Sequence, residues 1–343
     1  MNFTTTNKRL LSLGLPLATL TLTLGACGGG QQTSAPSGLT GDIMVDGSST
    51  VFPISEAMAE EFMAANSGTR VTVGVSGSGG GFKKFCAGET DISNASRPIK
   101  GTEVELCQKN GIEFIEIPVA FDGVSVVVNK ENDWAACLTA EELGKMWEPA
   151  AEGKITKWNQ IKSEYPNQDL ALYGPGTDSG TYDYFTDATT GEEGESRGDY
   201  TASEDDNVIV QGVQNDKGGL GFFGFAYYEE NKDTLKVVNI KNAAGECIPP
   251  SQAVIANGTY NPLSRPIFFY VKKAALEEKP QVKAFAEYQI DAANGNLISE
   301  VGYVPLPTEI LAVVSTRLGE AKTGSVFTGG STVGANLKEL LAK

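Results

Sequence analysis

The sequence predicts an α/β fold of two lobes with mostly parallel sheets, because short apolar strands alternate with glycine-rich loops and helical stretches along most of the 343 residues. That length suffices for two separate cores. Residues 112–119 and 124–128 are strongly β-prone, and a comparable strand returns at residues 265–271. We interpret these stretches as the paths on which the chain crosses between lobes. The predicted organisation is a first lobe of residues 41–120 and 272–320, a second lobe of residues 125–265, and a C-terminal segment of residues 321–343.

Residues 1–26 have the pattern of a secretory signal. Lys8 and Arg9 precede an apolar run, residues 10–24, which is too short for a stable membrane span. Leu-Gly-Ala then stands directly before Cys27, which resembles a bacterial lipoprotein signal whose cysteine becomes the lipidated first residue. An ordinary cleaved signal is the alternative. With residues 27–40 as a flexible tether, we expect an exported protein, periplasmic or at the cell surface, anchored to the membrane by lipidated Cys27.

The composition argues against several classes of function. Lys and Arg number 27 against 43 Asp and Glu, a net charge of −16, which argues against nucleic acid as a partner. The chain contains no histidine, which excludes Ser-His-Asp triads, Cys-His dyads and His-ligated zinc. We therefore predict no catalytic residue, no cofactor and no metal site.

Four cysteines besides Cys27 indicate disulfides, since exported chains with an even number of cysteines commonly pair them. The sequence by itself allows three pairings, and free buried thiols are the alternative. We favour Cys86–Cys107 and Cys137–Cys247, because each pair would then lie within one predicted lobe.

Three loops share one construction, in which glycine is mixed with serine and threonine between a β-prone run and a helical one. Unpaired N–H groups at a helix start, glycines that let the backbone approach, and hydroxyls that can donate all suit a dehydrated oxyanion. Ordinary turns and helix caps are the alternative. The loops are residues 46–53 (DGSSTVFP), 75–81 (VSGSGGG) and 174–182 (GPGTDSGTY).

Together with residues 93–98 (SNASRP) and 218–224 (GGLGFFG), this ordered set of loops resembles the phosphate-binding receptors of bacterial high-affinity phosphate importers. The resemblance covers nearly all of the chain beyond the signal. It implies a type II periplasmic-binding-protein fold, with a ligand cleft between the lobes and a two-segment hinge. It also implies high-affinity binding of inorganic phosphate and delivery to the permease subunits of an ABC importer, without enzymatic activity. We expect a monomer.

The resemblance also implies which residues bind the anion. In that family hydroxyls, backbone amides, an arginine and an aspartate surround phosphate between the lobes. The positions that match in this chain are Ser49 or Thr50 and the amide of Val51 in the first loop, Ser78 in the second, and Ser179, Gly180 and Thr181 in the third.

The charged ligands depart from the family pattern. The best-known members have an acidic residue where this chain has Arg97, and an arginine where it has Pro175. We predict that Arg97 supplies the positive charge instead, since an arginine can pair with phosphate from more than one direction. A carboxylate is also expected, because it can accept the hydrogen bond of hydrogen phosphate and repel sulfate. Asp122 is the first candidate and Asp178 the second, each with a turn or cap role as the alternative.

Other functions fit parts of the pattern. A phosphatase using these hydroxyls is disfavoured because no histidine or metal cluster would activate them. A receptor that signals phosphate scarcity without feeding transport, and the same fold binding sulfate, molybdate or a phosphonate, stay open.

Overall fold

The computed structural model describes residues 38–327, 333 and 337–341. The predicted signal, Cys27 and the tether up to residue 37 lie outside the described residues. The strands are β1 Thr40–Gly47, β2 Gly68–Val73, β3 Ile92–Ala95, β4 Phe114–Asn129, β5 Cys137–Leu138, β6 Ala171–Gly174, β7 Thr201–Ala202, β8 Gly219–Gly224, β9 Leu235–Val237, β10 Asn239–Lys241, β11 Cys247–Ile248, β12 Ser264–Lys272 and β13 Val304–Pro305.

Helices follow most strands, in the alternation that the sequence predicts. No helix of the described residues is long and apolar enough to cross a membrane. The helices are α1 Phe52–Ala65, α2 Gly77–Cys86, α3 Gly101–Lys109, α4 Ala140–Trp147, α5 Gly180–Thr190, α6 Asp206–Asn215, α7 Phe225–Asn231, α8 Gln252–Ala256, α9 Lys273–Glu278, α10 Pro280–Gln289, α11 Gly295–Glu300, α12 Thr308–Gly319 and α13 Leu337–Leu341, with 3₁₀ turns at Pro149–Ala151, Trp158–Gln160 and Ala292–Asn294.

The main sheet has the strand order β2-β1-β3-β12-β4-β8-β6-β7. The predicted α/β class is confirmed, but the sheet is mixed rather than mostly parallel. Its outer strands pair in parallel, whereas β4 and β12 run antiparallel to their neighbours. The reason is that the chain leaves the first lobe on β4 and returns on β12, so these strands run in opposite directions at the centre.

Strand β4 is continuous over both β-prone stretches that the sequence analysis separated, and its two halves have different partners. Residues 114–123 pair with β12, and residues 124–128 pair with β8. Two large hydrophobic clusters lie on either side of this change. One contains Ile43, Phe62, Ile117 and Phe285; the other contains Val126, Trp147, Trp158 and Phe222. We call them the cores of the first and second lobes. The predicted lobe boundaries stay a prediction, which this division supports.

Both disulfides of the favoured pairing are present. Cys86–Cys107 joins α2 to α3 in the first lobe, and Cys137–Cys247 joins β5 to β11. The two bridges close loops of very different length, with sequence separations of 21 and 110 residues.

Removal of the Cys137–Cys247 bridge by two serine substitutions is expected to lower the free energy of unfolding more than removal of Cys86–Cys107. The chain-entropy model gives about 4–5 kcal/mol for the longer loop and about 3 kcal/mol for the shorter one. Urea unfolding of the two double variants measures both losses. A larger loss for the Cys86–Cys107 pair would show that chain entropy does not set the order.

Candidate anion-binding site

Three helix starts meet where the two lobes face each other. Thr50 stands just before α1 of the first lobe, and its Oγ1 lies 2.8 Å from Oγ1 of Thr181 in the first turn of α5. The N–H of Gly79, in the first turn of α2, donates to the carbonyl of Asp178 at 2.7 Å. Both threonine side chains are buried. The two lobes are therefore in contact through the loops that the sequence analysis singled out.

Gly180 allows this close approach. A Cβ at this position would lie 2.6 Å from Ser96 Oγ, 2.7 Å from Ser78 Oγ and 2.8 Å from Arg97 Cγ. All three atoms belong to the first lobe, and the two serine hydroxyls are 3.2 Å apart. Glycine at the start of α5 thus places a helix N-terminus against two buried hydroxyls of the opposite lobe.

The buried cation of the cluster is Arg265, at the start of β12. Its Nη1 donates to the carbonyl of Gly180 at 3.0 Å, and its Nη2 donates to Thr181 Oγ1 at 2.8 Å. The guanidinium also lies over the ring of Tyr184, 5.4 Å from the ring centroid. A guanidinium is therefore buried at the first turn of α5. The backbone dipole at this helix start favours a bound anion.

Asp122 holds that guanidinium in place. Its Oδ2 accepts from Arg265 Nη2 at 2.9 Å and from Nε at 3.2 Å, and its Oδ1 accepts from the N–H of Phe225 at 3.3 Å. The side chains of the pair are 1% and 0% exposed. The two residues face each other in the β4–β12 register. Asp122 thus lies at the cluster, and both of its oxygens are engaged by protein donors.

The contacts of Arg97 do not support the expectation that it binds the anion, which stays a prediction. Its guanidinium turns away from the cluster and binds both oxygens of Glu103, at 2.7 and 2.8 Å, and Asp183 Oδ2 at 2.6 Å. Lys100 binds the same Asp183 oxygen at 2.9 Å. These two carboxylates neutralise the Arg97 guanidinium. Since Glu103 belongs to α3 of the first lobe and Asp183 to α5 of the second, Arg97 joins the two helices. Arg265, rather than Arg97, is the cation whose guanidinium contacts Gly180 and Thr181 of α5.

Replacement of Arg97 by methionine is expected to reduce stability by about 3–5 kcal/mol, because Glu103 and Asp183 would be left buried without their main partner. Phosphate affinity should fall much less than in an Arg265 variant. Urea unfolding and calorimetric titration of the same preparation measure both quantities. Normal stability with lost binding would instead make Arg97 a direct ligand.

Of the remaining predicted residues, Ser49, Val51 and Ser179 lie in the loops of the cluster, whereas the carboxylate of Asp178 does not. Ser49 and Val51 are buried in the loop before α1, beside Thr50. Ser179 caps α5, because its Oγ accepts from the N–H groups of Thr181 and Tyr182 at 3.1 and 3.4 Å. The side chain of Asp178 is 43% exposed and pairs with Lys83 at 2.8 Å. Asp178 therefore contributes its carbonyl to the contact between the lobes, while its carboxylate lies outside the cluster.

Sequence reasoning missed Arg265 as a site residue. Residues 265–271 were interpreted as a crossing strand because most of them are apolar, and the positive charge of Arg265 was not considered. A signal was present: Asp122, between the two β-prone stretches, and Arg265, at the start of the returning strand, carry opposite charges at the predicted lobe crossings. Opposite charges on two paired strands that are otherwise buried indicate an ion pair.

The cluster offers donors to an anion rather than ligands to a metal. Within residues 38–327, 333 and 337–341, no group of three or more His, Cys, Asp or Glu side chains could hold a metal ion. The hydroxyls of Thr50, Ser78 and Thr181, the helix starts and the guanidinium are all hydrogen-bond donors.

A family model described as a PBP superfamily domain matches residues 31–293. The chain belongs to this superfamily. Two relatives place it further. Protein SphX of Synechococcus elongatus is 54% identical over 311 residues, covering 91% of this chain and 90% of that protein. The phosphate-binding protein PstS of Staphylococcus saprophyticus is 40% identical over 301 residues, covering 87% of this chain and 91% of that protein.

A solved structure is also similar to this chain. A possible phosphate-binding protein from Planctomyces limnophilus is 44% identical, has a TM-score of 0.60, and covers 83% of this chain and 99% of its own. The chain is therefore a PBP-superfamily protein of the SphX and PstS family, and the two-lobed fold predicted from its loops is confirmed.

Proposed function

We propose that this protein binds inorganic phosphate between its lobes, outside the cytoplasm, and delivers it to an ABC importer without catalysing a reaction. The observation that carries the proposal is the convergence of a buried arginine with three helix starts of opposite lobes. Arg265 contacts Gly180 and Thr181 of α5, Thr181 contacts Thr50 before α1, and Gly180 lies against Ser78 of α2. The names of the SphX and PstS relatives support the same ligand.

Local donors must overcome an unfavourable overall field, because the chain has a net charge of −16. Helix N-termini and a guanidinium act over a few ångströms, whereas exposed charges farther than about 10 Å away are largely screened at ordinary salt. A dianion bound between the lobes would bridge donors from both, and so would stabilise the closed arrangement by its higher affinity for that state.

Isothermal titration with phosphate and with sulfate tests the ligand. We expect tight, saturable phosphate binding near pH 8, where hydrogen phosphate prevails, and no displacement of phosphate by excess sulfate. Equal affinity for the two anions would assign the site to tetrahedral oxyanions in general. No phosphate binding by the folded protein would refute the proposal.

The partners and the location follow from the same function. We propose a monomer that docks on importer permease subunits and that is anchored by a lipid on Cys27. Replacement of Cys27 by serine should move the protein from the membrane fraction to the soluble extracytoplasmic fraction. Unchanged membrane association of this variant would exclude the lipid anchor without affecting the proposal for phosphate.

A further inference from the structure

A second carboxylate lies near the Arg265–Asp122 pair. Asp206 is the first residue of α6 and is 1% exposed. Its Oδ2 is buried and has no hydrogen-bond partner among residues 38–327, 333 and 337–341. Buried polar atoms are nearly always paired, so an unpartnered carboxylate oxygen calls for an explanation.

Asp206 interacts with residues of the anion-binding cluster and of the loop before α1. Its carboxylate has a hydrogen bond with the side chain of Ser49 and interacts electrostatically with Asp122 and Arg265. The hydroxyl of Tyr227, from the neighbouring helix α7, donates to the carbonyl of Ser49 at 3.0 Å. The second lobe therefore holds the loop before α1 through Asp206 and Tyr227, next to Thr50.

The other acidic candidates lack either burial, a free acceptor oxygen or an interaction with Arg265. Both oxygens of Asp122 are engaged, by Arg265 and by the N–H of Phe225. The carboxylate of Asp178 is partly exposed and pairs with Lys83. Glu204 also has an unpartnered buried oxygen, but that oxygen lies beside Gly77, at the contact with the Asp178 loop. Asp206 combines burial, a free acceptor oxygen and an electrostatic interaction with Arg265.

We propose that Asp206 is the residue by which this protein distinguishes hydrogen phosphate from sulfate, with its free oxygen accepting the hydrogen bond of the protonated phosphate oxygen. Sulfate has no such hydrogen, and its oxygens would face the carboxylate lone pairs without a proton between them. The inference rests on the proposed function and names the group that gives it specificity. A site with such a polar requirement can discriminate by roughly 10⁴-fold.

Burial of the Asp206 carboxylate lowers the stability of the ligand-free protein at neutral pH, as expected of a group kept for binding. Burial raises the pKa of its carboxyl to about 7, although the hydrogen bond with Ser49 opposes the rise. A pKa raised above the unfolded value means that the stability due to this group is present below about pH 4 and is lost as the pH rises through about 7. The protein therefore keeps a group that destabilises its ligand-free form at neutral pH.

Replacement of Asp206 by asparagine is the first test, with Asp205→Asn as the matched control. Asp205 is adjacent and exposed, and it caps α6 through the N–H of Asn207, a role that asparagine also fills. Titration near pH 8 should show that the phosphate-to-sulfate affinity ratio falls at least about 100-fold in D206N and is unchanged in D205N. A ratio in D206N equal to that of the wild type would overturn the inference.

The pH dependence of sulfate binding is the second test, because sulfate does not titrate in this range. Protonated Asp206 can donate to sulfate, so wild-type sulfate affinity should be level well below the pKa of about 7 and should fall about tenfold per pH unit above it. The charged and titratable groups around Asp206 are Asp122, Arg265, Asp205, Tyr227 and Tyr303. They remain in D206N, whose sulfate affinity should lose this dependence. The same pH profile in both proteins would contradict the assignment.

Two controls separate the possible failures. The thermal midpoint of ligand-free D206N near pH 8 should be no lower than that of the wild type, since a buried ionised group has been removed. If wild-type protein binds no phosphate, the proposed function fails; if it binds phosphate and D206N still excludes sulfate, the role of Asp206 fails by itself.

Discussion

Replacement of Arg265 by methionine should weaken phosphate binding by about 2–5 kcal/mol, which is roughly 30- to 5,000-fold in Kd. The guanidinium is the buried cation that contacts both Gly180 and Thr181 of α5. Without it a dianion between the lobes would face Asp122 with no formal countercharge. Isothermal titration of phosphate into the variant measures the loss.

Stability must be separated from binding in this experiment. Methionine at position 265 also leaves Asp122 buried and unpaired, which typically destabilises a protein by about 3–5 kcal/mol. The double variant Arg265→Met with Asp122→Asn removes both charges and should regain much of the lost stability, yet it should still fail to bind phosphate. Recovery of phosphate affinity in the double variant would show that the pair is only structural.

Arg197 provides a matched control for Arg265. It is also a buried arginine of the second lobe, and its guanidinium contacts Asp199 and the carbonyls of Met146 and Ile155. Arg197→Met should therefore lower stability while leaving the phosphate affinity of the folded protein close to that of the wild type. Equal losses of affinity in the Arg197 and Arg265 variants would mean that general destabilisation explains both.

Replacement of Gly180 by alanine should weaken phosphate binding without unfolding the protein. The added methyl would overlap Ser96 Oγ, Ser78 Oγ and Arg97 Cγ, at 2.6, 2.7 and 2.8 Å. These atoms belong to the opposite lobe, so the overlap opposes closure more than it opposes the folding of either lobe. Overpacking of this kind costs about 1–3 kcal/mol, which is roughly 5- to 150-fold in Kd.

Gly319→Ala is the control for this substitution, because a Cβ at position 319 would meet nothing within 4 Å. It should leave both the thermal midpoint and the phosphate affinity unchanged. For Gly180→Ala, the ligand-free thermal midpoint should stay near that of the wild type, and the stabilisation by added phosphate should shrink. Full phosphate affinity in Gly180→Ala would show that the lobes need not approach as closely as the structure shows.

The fold and the loops of the site could be predicted because their signals are local. Glycine, serine and threonine between a strand and a helix mark a helix start wherever that loop lies, so the three loops were found without knowledge of the tertiary structure. The family resemblance then indicated Thr50, Ser78 and Gly180 within them. The disulfide choice needed one further step, the assignment of each cysteine to a lobe, and both bridges of that choice are present.

The charged groups could not be placed by the same reasoning, because an arginine side chain reaches several ångströms from its backbone. Arg97 follows β3 beside the cluster, but its guanidinium is drawn to Glu103 and Asp183, which come from α3 and α5. Arg265 is far from the loops in sequence and reaches them through the β4–β12 pairing. Its role depends on strand register, which a sequence by itself specifies poorly.

The most direct measurement is a crystal structure of the protein with bound phosphate. We expect one anion between the lobes, within hydrogen-bonding distance of the Arg265 guanidinium and of donors from Thr50, Ser78 and Thr181. An anion that is bound by Arg97 instead, or that lies outside the contact between the three helix starts, would contradict the proposed binding site.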